Sequence, residues 1–152
     1  MELKEVNLYI DTSIRGPRIR DGAYGYVLER KTAAGPATLT DVCTLSAATE
    51  HRSLLIALIA ALGHIRQPCR LTVYTECGYI ADVLAKWLQV WEKNEWQRSR
   101  DKPLKNADEW KKAAALLEAH EVDVKLRVGH EYRMYMRREV DAVADGKAFT
   151  PL

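Results

Sequence analysis

The sequence predicts an α/β domain built on a mixed sheet of five strands, three antiparallel and then two parallel, flanked by helices. Three observations carry this. First, three short β-rich segments follow one another between residues 6 and 45 with turn-forming residues between them, the pattern of an antiparallel meander. Second, two further β-rich segments, 70–75 and 122–128, are each preceded by a helical segment. A strand that returns through a helix lies parallel to its neighbour. Third, 152 residues at 47% hydrophobic and 29% charged give one globular domain, 1–152, with the mass for a proper core.

Taken in order, Val6–Ile10 (VNLYI) is a short strand that ends on Asp11 and leads into a Gly/Pro/Arg loop, TSIRGPRIRDG. Strand character resumes over Ala23–Glu29 and again over Thr38–Leu45, with Gly35-Pro36 turning the chain between them. Thr49–Ile65 reads as a helix apolar over a wide face, with Pro68 as its stop. Its run LLIALIAALG is too short to span a bilayer and reads as buried. Arg70–Thr75 is the fourth strand, and a helix follows from about Gly78 to Trp87. A Trp/Lys-rich stretch broken at Pro103 precedes a helix over 106–120, which starts from Asn106 as cap. Val122–Val128 alternates as the last strand, and Arg137–Lys147 reads as the last helix. The chain carries no internal repeat and no linker long enough to divide it.

The N-terminal stretch MELKEVNLYID is charged and then strand-like, unlike a signal peptide. Cys43, Cys69 and Cys77 are odd in number and lack C-x-x-C spacing. That favours free thiols in a reducing cytosol over zinc or disulfides. A cytoplasmic location is expected, with a monomeric chain and no membrane partner. A net charge of +2 is too small to imply nucleic-acid binding by itself, so any basic surface must be local.

Such a surface has a candidate. Trp87, Trp91, Trp96 and Trp110 are all the tryptophans of the chain, and Lys93, Arg98, Arg100, Lys102 and Lys105 lie among them. Aromatics interleaved with cations suit stacking on sugars or bases while the cations hold phosphates. The competing reading is Trp as core filler beside a solvated charged face.

Three acids complete the pattern. Asp11 ends the first strand, Glu76 follows the fourth, and Asp141 lies in the last helix. In a sheet of this order the first and fourth strands are neighbours, and their C-terminal ends bring Asp11 and Glu76 together where such sheets place their sites. Clustered carboxylates call for hard cations such as Mg²⁺, and two such ions can flank a phosphate for in-line hydrolysis.

These segments resemble a type 1 ribonuclease H over nearly the full chain. YIDTS, DGAYGYVL, TEHRSLLIALIAALGHI, CRLTVYTECGYI, WEKNEW with KPLKNADEW, and VGH followed by VDAVAD each match a segment of that family. KPLKN-x-x-x-W after paired tryptophans is the most specific of them. The resemblance implies hydrolysis of the RNA strand of an RNA–DNA hybrid, with two Mg²⁺ or Mn²⁺ ions held by four carboxylates. Position by position, it assigns Asp11, Glu76 and Asp141 as metal ligands and His130 as the histidine that assists departure of product. It assigns Lys93, Lys105, Asn106 and the tryptophans, Trp96 among them, to the DNA strand in a basic protrusion that also carries Arg98 and Lys102. Trp87 and Trp110 are expected to anchor that protrusion.

The chain departs from the family at four places. Leu54 aligns with the family's second carboxylate and cannot ligate metal. Glu50 is the nearest acid, four residues earlier, or about 6 Å along a helix; it substitutes only if it folds back from the helix start, and is otherwise an N-terminal helix charge. Glu76 replaces an aspartate. Around His130, Tyr132 replaces a glycine and Arg137-Arg138 stand where the family has Asn-Glu, which predicts a bulky basic loop that grips phosphate. In the early loop Thr12 replaces a glycine, and Arg15, Arg18 and Arg20 bring charge expected to contact phosphates. Besides an active ribonuclease H, two readings stay open. One is a catalytically impaired module that binds hybrid or double-stranded nucleic acid; the other is a protein-interaction domain on the same fold.

Overall fold

The structure is a computed structural model that describes residues 2–99, 102–127 and 129–152, with the side chains of residues 98, 99, 102 and 103 outside the described set. Strands β1 (Lys4–Thr12), β2 (Arg20–Thr32) and β3 (Gly35–Ala48) form the antiparallel meander. Strand β4 (Cys69–Thr75) adds to β1 in parallel and β7 (Glu121–Leu126) adds to β4 in parallel, giving the order β3-β2-β1-β4-β7. The predicted mixed five-stranded sheet is therefore the one observed, with β1 and β4 as neighbours.

The alternation of side chains along β1 decides what faces what. Leu8 and Ile10 enter the main core with Val6 packed against it, and they meet Leu54, Leu55, Leu58 and Leu62 of α1 (Glu50–Leu62). Tyr9 belongs to a second cluster with Val27 and Met136, beneath α5 (Arg133–Ala144), which packs on β2, β3 and β1. Asp11 shares the parity of Tyr9, so it emerges on the α5 side of the sheet at the strand end.

Thr49 caps α1 by accepting from the Arg52 amide at 3.2 Å. The helix ends at Leu62, where Gly63, His64 and Ile65 donate back to Ile59, Ala61 and Leu62 in tightening turns. It has thus stopped before Pro68, which was expected to end it. The helix predicted over 78–87 is longer and irregular. It comprises α2 (Gly78–Asp82), a π-helical turn (Val83–Trp87) and α3 (Leu88–Lys93). A small ribbon of β5 (Gln97–Ser99) and β6 (Lys102–Pro103) follows.

Two starts differ from the sequence reading. Helix α4 (Ala107–Leu117) follows Asn106, but that residue makes no side-chain cap bond. Its φ of 59° is left-handed, so it serves as a turn residue, the other use to which asparagine is suited. Helix α5 begins at Arg133, four residues before the predicted start. Most of the segment expected to be a basic loop is therefore helical, and Arg133 and Arg137 lie one turn apart on one face.

Candidate active site

The C-terminal ends of β1 and β4 meet the start of α1 and the first two turns of α5 around a cavity of about 150 Å³. Asp11, Glu50, Leu54, Glu76, Arg15 and Arg137 are among its lining residues. Asp11 and Glu76 each lie two residues beyond the last registered pair of the parallel strands, Tyr9 and Tyr74, so the shared register brings them abreast.

Asp11 is largely buried, its side chain 12% exposed. One carboxylate oxygen accepts from the Thr12 amide at 2.8 Å and the other from Arg137 Nε at 3.4 Å. Burial pushes its pKa above the ordinary carboxylate value, against the opposing pull of the Thr12 amide, Arg137 and Arg15. Glu76 accepts from Arg137 Nη2 at 2.8 Å and from Arg133 Nε at 2.9 Å. One guanidinium thus bridges the two strand-end carboxylates, and a second closes on Glu76. The basic segment expected to grip phosphate turns these two arginines onto the chain's own acids instead.

Asp141 sits one turn beyond Arg137 on α5, outside the lining of the cavity. Its carboxylate is paired with Arg15 Nη2 at 3.3 Å. Arg15, expected at a phosphate, is therefore engaged within the site, whereas Arg18 in the same loop is exposed. Glu50 opens α1 and does reach the cavity; its Oε1 accepts from the Gly16 amide at 2.7 Å. Gly16 has a φ of +92°, the left-handed region that glycine enters without strain. Leu54 is 4% exposed and presents hydrocarbon to the cavity where the resemblance calls for a carboxylate.

Thr12, in place of a glycine, is buried and tied into the scaffold. Its Oγ1 accepts from the Ile14 amide at 2.9 Å and lies 2.8 Å from Ser53 Oγ. His130 is half-buried beside the Tyr9 ring, with centroids 4.7 Å apart. Its Nδ1 accepts from the Tyr132 amide at 3.2 Å, which leaves the proton of the neutral ring on Nε2. Burial lowers its pKa; Glu76 opposes and Arg133 reinforces that shift. The Tyr132 hydroxyl bonds to the buried Glu29, and the Tyr9 hydroxyl donates to Glu131 at 3.3 Å. Sequence reasoning missed this clasp and the roles of Arg133 and Arg137. The i,i+4 spacing of the two arginines was the available signal, once the helix is known to start at 133.

On the protrusion, Lys93 and Lys105 are exposed and Asn106 is half-buried. The side chains of Arg98 and Lys102, and all of Arg100, lie outside the described residues. Trp110 is fully buried, donates from Nε1 to the Tyr79 hydroxyl at 3.1 Å and meets Trp91 edge-on, so it anchors the protrusion as expected. Trp87 does not: it is 41% exposed, with Lys86 Nζ 4.8 Å from its ring centre. Trp96 is half-buried against the core at a φ of 66°, so only part of it is open to a ligand.

The model of the RNase H family matches residues 3–148. The chain belongs to the ribonuclease H family. It is 31% identical over 133 residues to a ribonuclease H of Rhizobium johnstonii, covering 84% of this chain and 82% of that one. To a ribonuclease HI of Vibrio parahaemolyticus it is 34% identical over 130 residues, covering 84% and 81%. Among solved structures it superposes on LC9-RNase H1, a type 1 RNase H with the type 2 active-site motif, at a TM-score of 0.81 and 22% identity, covering 99% and 76% of the two chains. A foamy viral protease-reverse transcriptase in complex with RNA/DNA hybrid matches at a TM-score of 0.69 and 16% identity, over 95% of this chain and 20% of that one. These two likenesses support the fold.

Ribonucleases H use divalent metal ions. The carboxylate oxygens of Asp11, Glu76 and Glu50 around one cavity suit a hard divalent cation in kind. As placed, Asp11 and Glu76 are held by guanidinium groups and Glu50 by a backbone amide. Among the described residues no three Asp, Glu, His or Cys side chains are grouped closely enough to share one ion. Among the same residues no helix is long and apolar enough to cross a membrane.

Proposed function

We propose that this ribonuclease H acts as a single-domain, monomeric, cytoplasmic endonuclease that hydrolyses the RNA strand of RNA–DNA hybrids. The observation that carries the proposal is the convergence of Asp11 and Glu76 on one cavity at adjacent ends of parallel strands, with Asp141 a turn away on α5. Mg²⁺ or Mn²⁺ bound by these acids would polarise the scissile phosphate and lower the pKa of the attacking water. Asp11, the most buried of the three acids, would be the central ligand. Glu76 and Asp141 would complete the set once Arg137 and Arg15 release them. Glu50 fixes the loop at Gly16 beside the cavity and lends negative charge from the helix start. His130, neutral and with Nε2–H free of its Tyr132 contact, donates to the departing group. Lys93, Lys105, Asn106 and the open part of Trp96, with Arg98 and Lys102, hold the DNA strand, and Arg18 supplies a phosphate contact from the early loop.

The test is cleavage of an end-labelled hybrid with Mg²⁺ and with Mn²⁺, and its loss in Asp11→Asn. Intact hybrid with both metals would remove the enzymatic reading. A second reading, a hybrid- or duplex-binding module with impaired catalysis, is favoured by Leu54 at the cavity wall and by guanidiniums on all three candidate ligands. It predicts salt-sensitive hybrid affinity without turnover.

A further inference from the structure

We infer that Arg137 is a built-in cation which holds Asp11 and Glu76 together as a divalent ion would, so that metal enters this site only by displacing its guanidinium. The inference rests on the metal-dependent reading above and concerns what that metal must compete with.

The guanidinium spans the two carboxylates with different nitrogens, Nε to Asp11 at 3.4 Å and Nη2 to Glu76 at 2.8 Å. Both acids line the cavity and are more buried than exposed, at 12% and 24%. Without a cation between them they would repel across a site with little water to screen them. Arg133, one turn earlier on α5, takes the other oxygen of Glu76 at 2.9 Å. The neighbouring arginine does not share this task, since Arg138 pairs with Glu139 and lies over the Tyr135 ring.

The charges around the cavity point the same way. Asp11, Glu50, Glu76 and Asp141 face Arg15, Arg133 and Arg137. Four carboxylates against three guanidiniums leave one negative charge, too few to attract two divalent ions while the arginines stay in place. Leu54 adds none. Helix α5 holds Arg137 in position through the buried side chains of Met136 and Val140 on the same turns, so the arginine is presented by a rigid element.

Binding of Mn²⁺ to the intact chain without nucleic acid tests this by calorimetry. Arg137→Gln should bind Mn²⁺ at least tenfold tighter than wild type, and its melting temperature should gain more from added Mn²⁺. Equal affinity within twofold overturns the proposal. If Arg137→Gln fails to fold, Arg137→Lys takes its place, since one ammonium cannot span both acids as the fork does; tighter binding supports the inference and unchanged binding overturns it. In wild type, the Arg137 Nε–H resonance should lose its protection from solvent exchange as Mg²⁺ is added. Saturation by Mg²⁺ with that resonance unchanged overturns the proposal as well. Hybrid cleavage is scored apart. Tighter Mn²⁺ binding without cleavage in any form sustains the arginine's role and removes the ribonuclease reading, and active wild type with unchanged affinity in the variant does the reverse.

Discussion

Leu54→Glu returns a carboxylate to the cavity wall, and its two effects have opposite signs. Leu54 is 4% exposed and packs in the main core. Giving up its burial costs about 1.5–3 kcal/mol. The new carboxylate would face a cavity lined by Arg15 and Arg137, which offsets part of its desolvation. A net loss of about 2 kcal/mol corresponds to about 4–8 °C in melting temperature for a domain of this size. In the presence of metal the sign changes. Opposite unit charges about 4 Å apart attract by about 4 kcal/mol at an effective dielectric of about 20. If a third of that is felt only in the transition state, the rate rises about tenfold. The assay is single-turnover cleavage of a labelled hybrid in Mn²⁺, with urea melts in parallel and Leu54→Gln as the control. The glutamine variant shares the lost burial but brings no charge, so it should melt like the glutamate variant and cleave no faster than wild type. A folded Leu54→Glu chain that neither binds Mn²⁺ more tightly nor cleaves faster would show that the missing carboxylate is not what limits this site.

Three further outcomes are expected. Asp11→Asn should abolish cleavage yet stabilise the chain by about 0.5–2 kcal/mol at neutral pH, because it removes a charge that burial disfavours. Because burial raises the folded pKa of Asp11, the native state holds the proton longer than the unfolded state does. The penalty is therefore absent below the ordinary value of 3.8 and grows as pH rises through the folded value. Melts of both proteins across that range should converge in acid; a constant offset would contradict the burial argument. Lys93→Ala with Lys105→Ala should weaken hybrid binding without altering the single-turnover rate at saturation, and should flatten the salt dependence of log K by about 1 per lysine, measured by anisotropy at several salt concentrations. Tyr132→Phe removes a donor to Glu29, a carboxylate 1% exposed. It should cost about 1–3 kcal/mol in thermal melts and raise the mobility of His130 in NMR relaxation, while a loop as rigid as wild type would refute the clasp.

The sheet was legible because strand alternation is a local property, written directly in VNLYI, RLTVYT and VDVKLRV. The pairing of β1 with β4 followed from the order of elements, and with it the approach of Asp11 to Glu76. Other features rested on contacts that no local pattern carries. The start of α5 at Arg133 was hidden because RMYMRR has no apolar stripe of its own length; only Met136, with Val140 one turn on, is buried. The four tryptophans look alike in sequence, yet Trp110 is enclosed by Tyr79 and Trp91 while Trp87 remains open. Asn106 offered two uses, cap or left-handed turn, and the backbone took the second. Asp141 was located correctly on the last helix, but its partner Arg15 is 126 residues away in sequence.

The departures around the cavity belong together when read as charge. Leucine at position 54 removes one negative charge from the wall that adjoins Asp11 and Glu76. Arg133 and Arg137 then bring two positive charges to the same two acids. Either change alone would unbalance the site. With the arginines and a glutamate at position 54 in place, the site would carry two uncompensated negative charges instead of one; with Leu54 and no arginines, Asp11 and Glu76 would face each other unpartnered whenever metal is scarce. Together the changes give a site that is nearly self-neutralised. Buried carboxylates of this kind are strongly destabilised when the guanidinium that pairs with them is lost, so the leucine and the arginines constrain one another. Restoring the glutamate and removing Arg137 should therefore be non-additive in metal affinity. The double variant should exceed the product of the two single effects, because each single change leaves the other half of the balance in place.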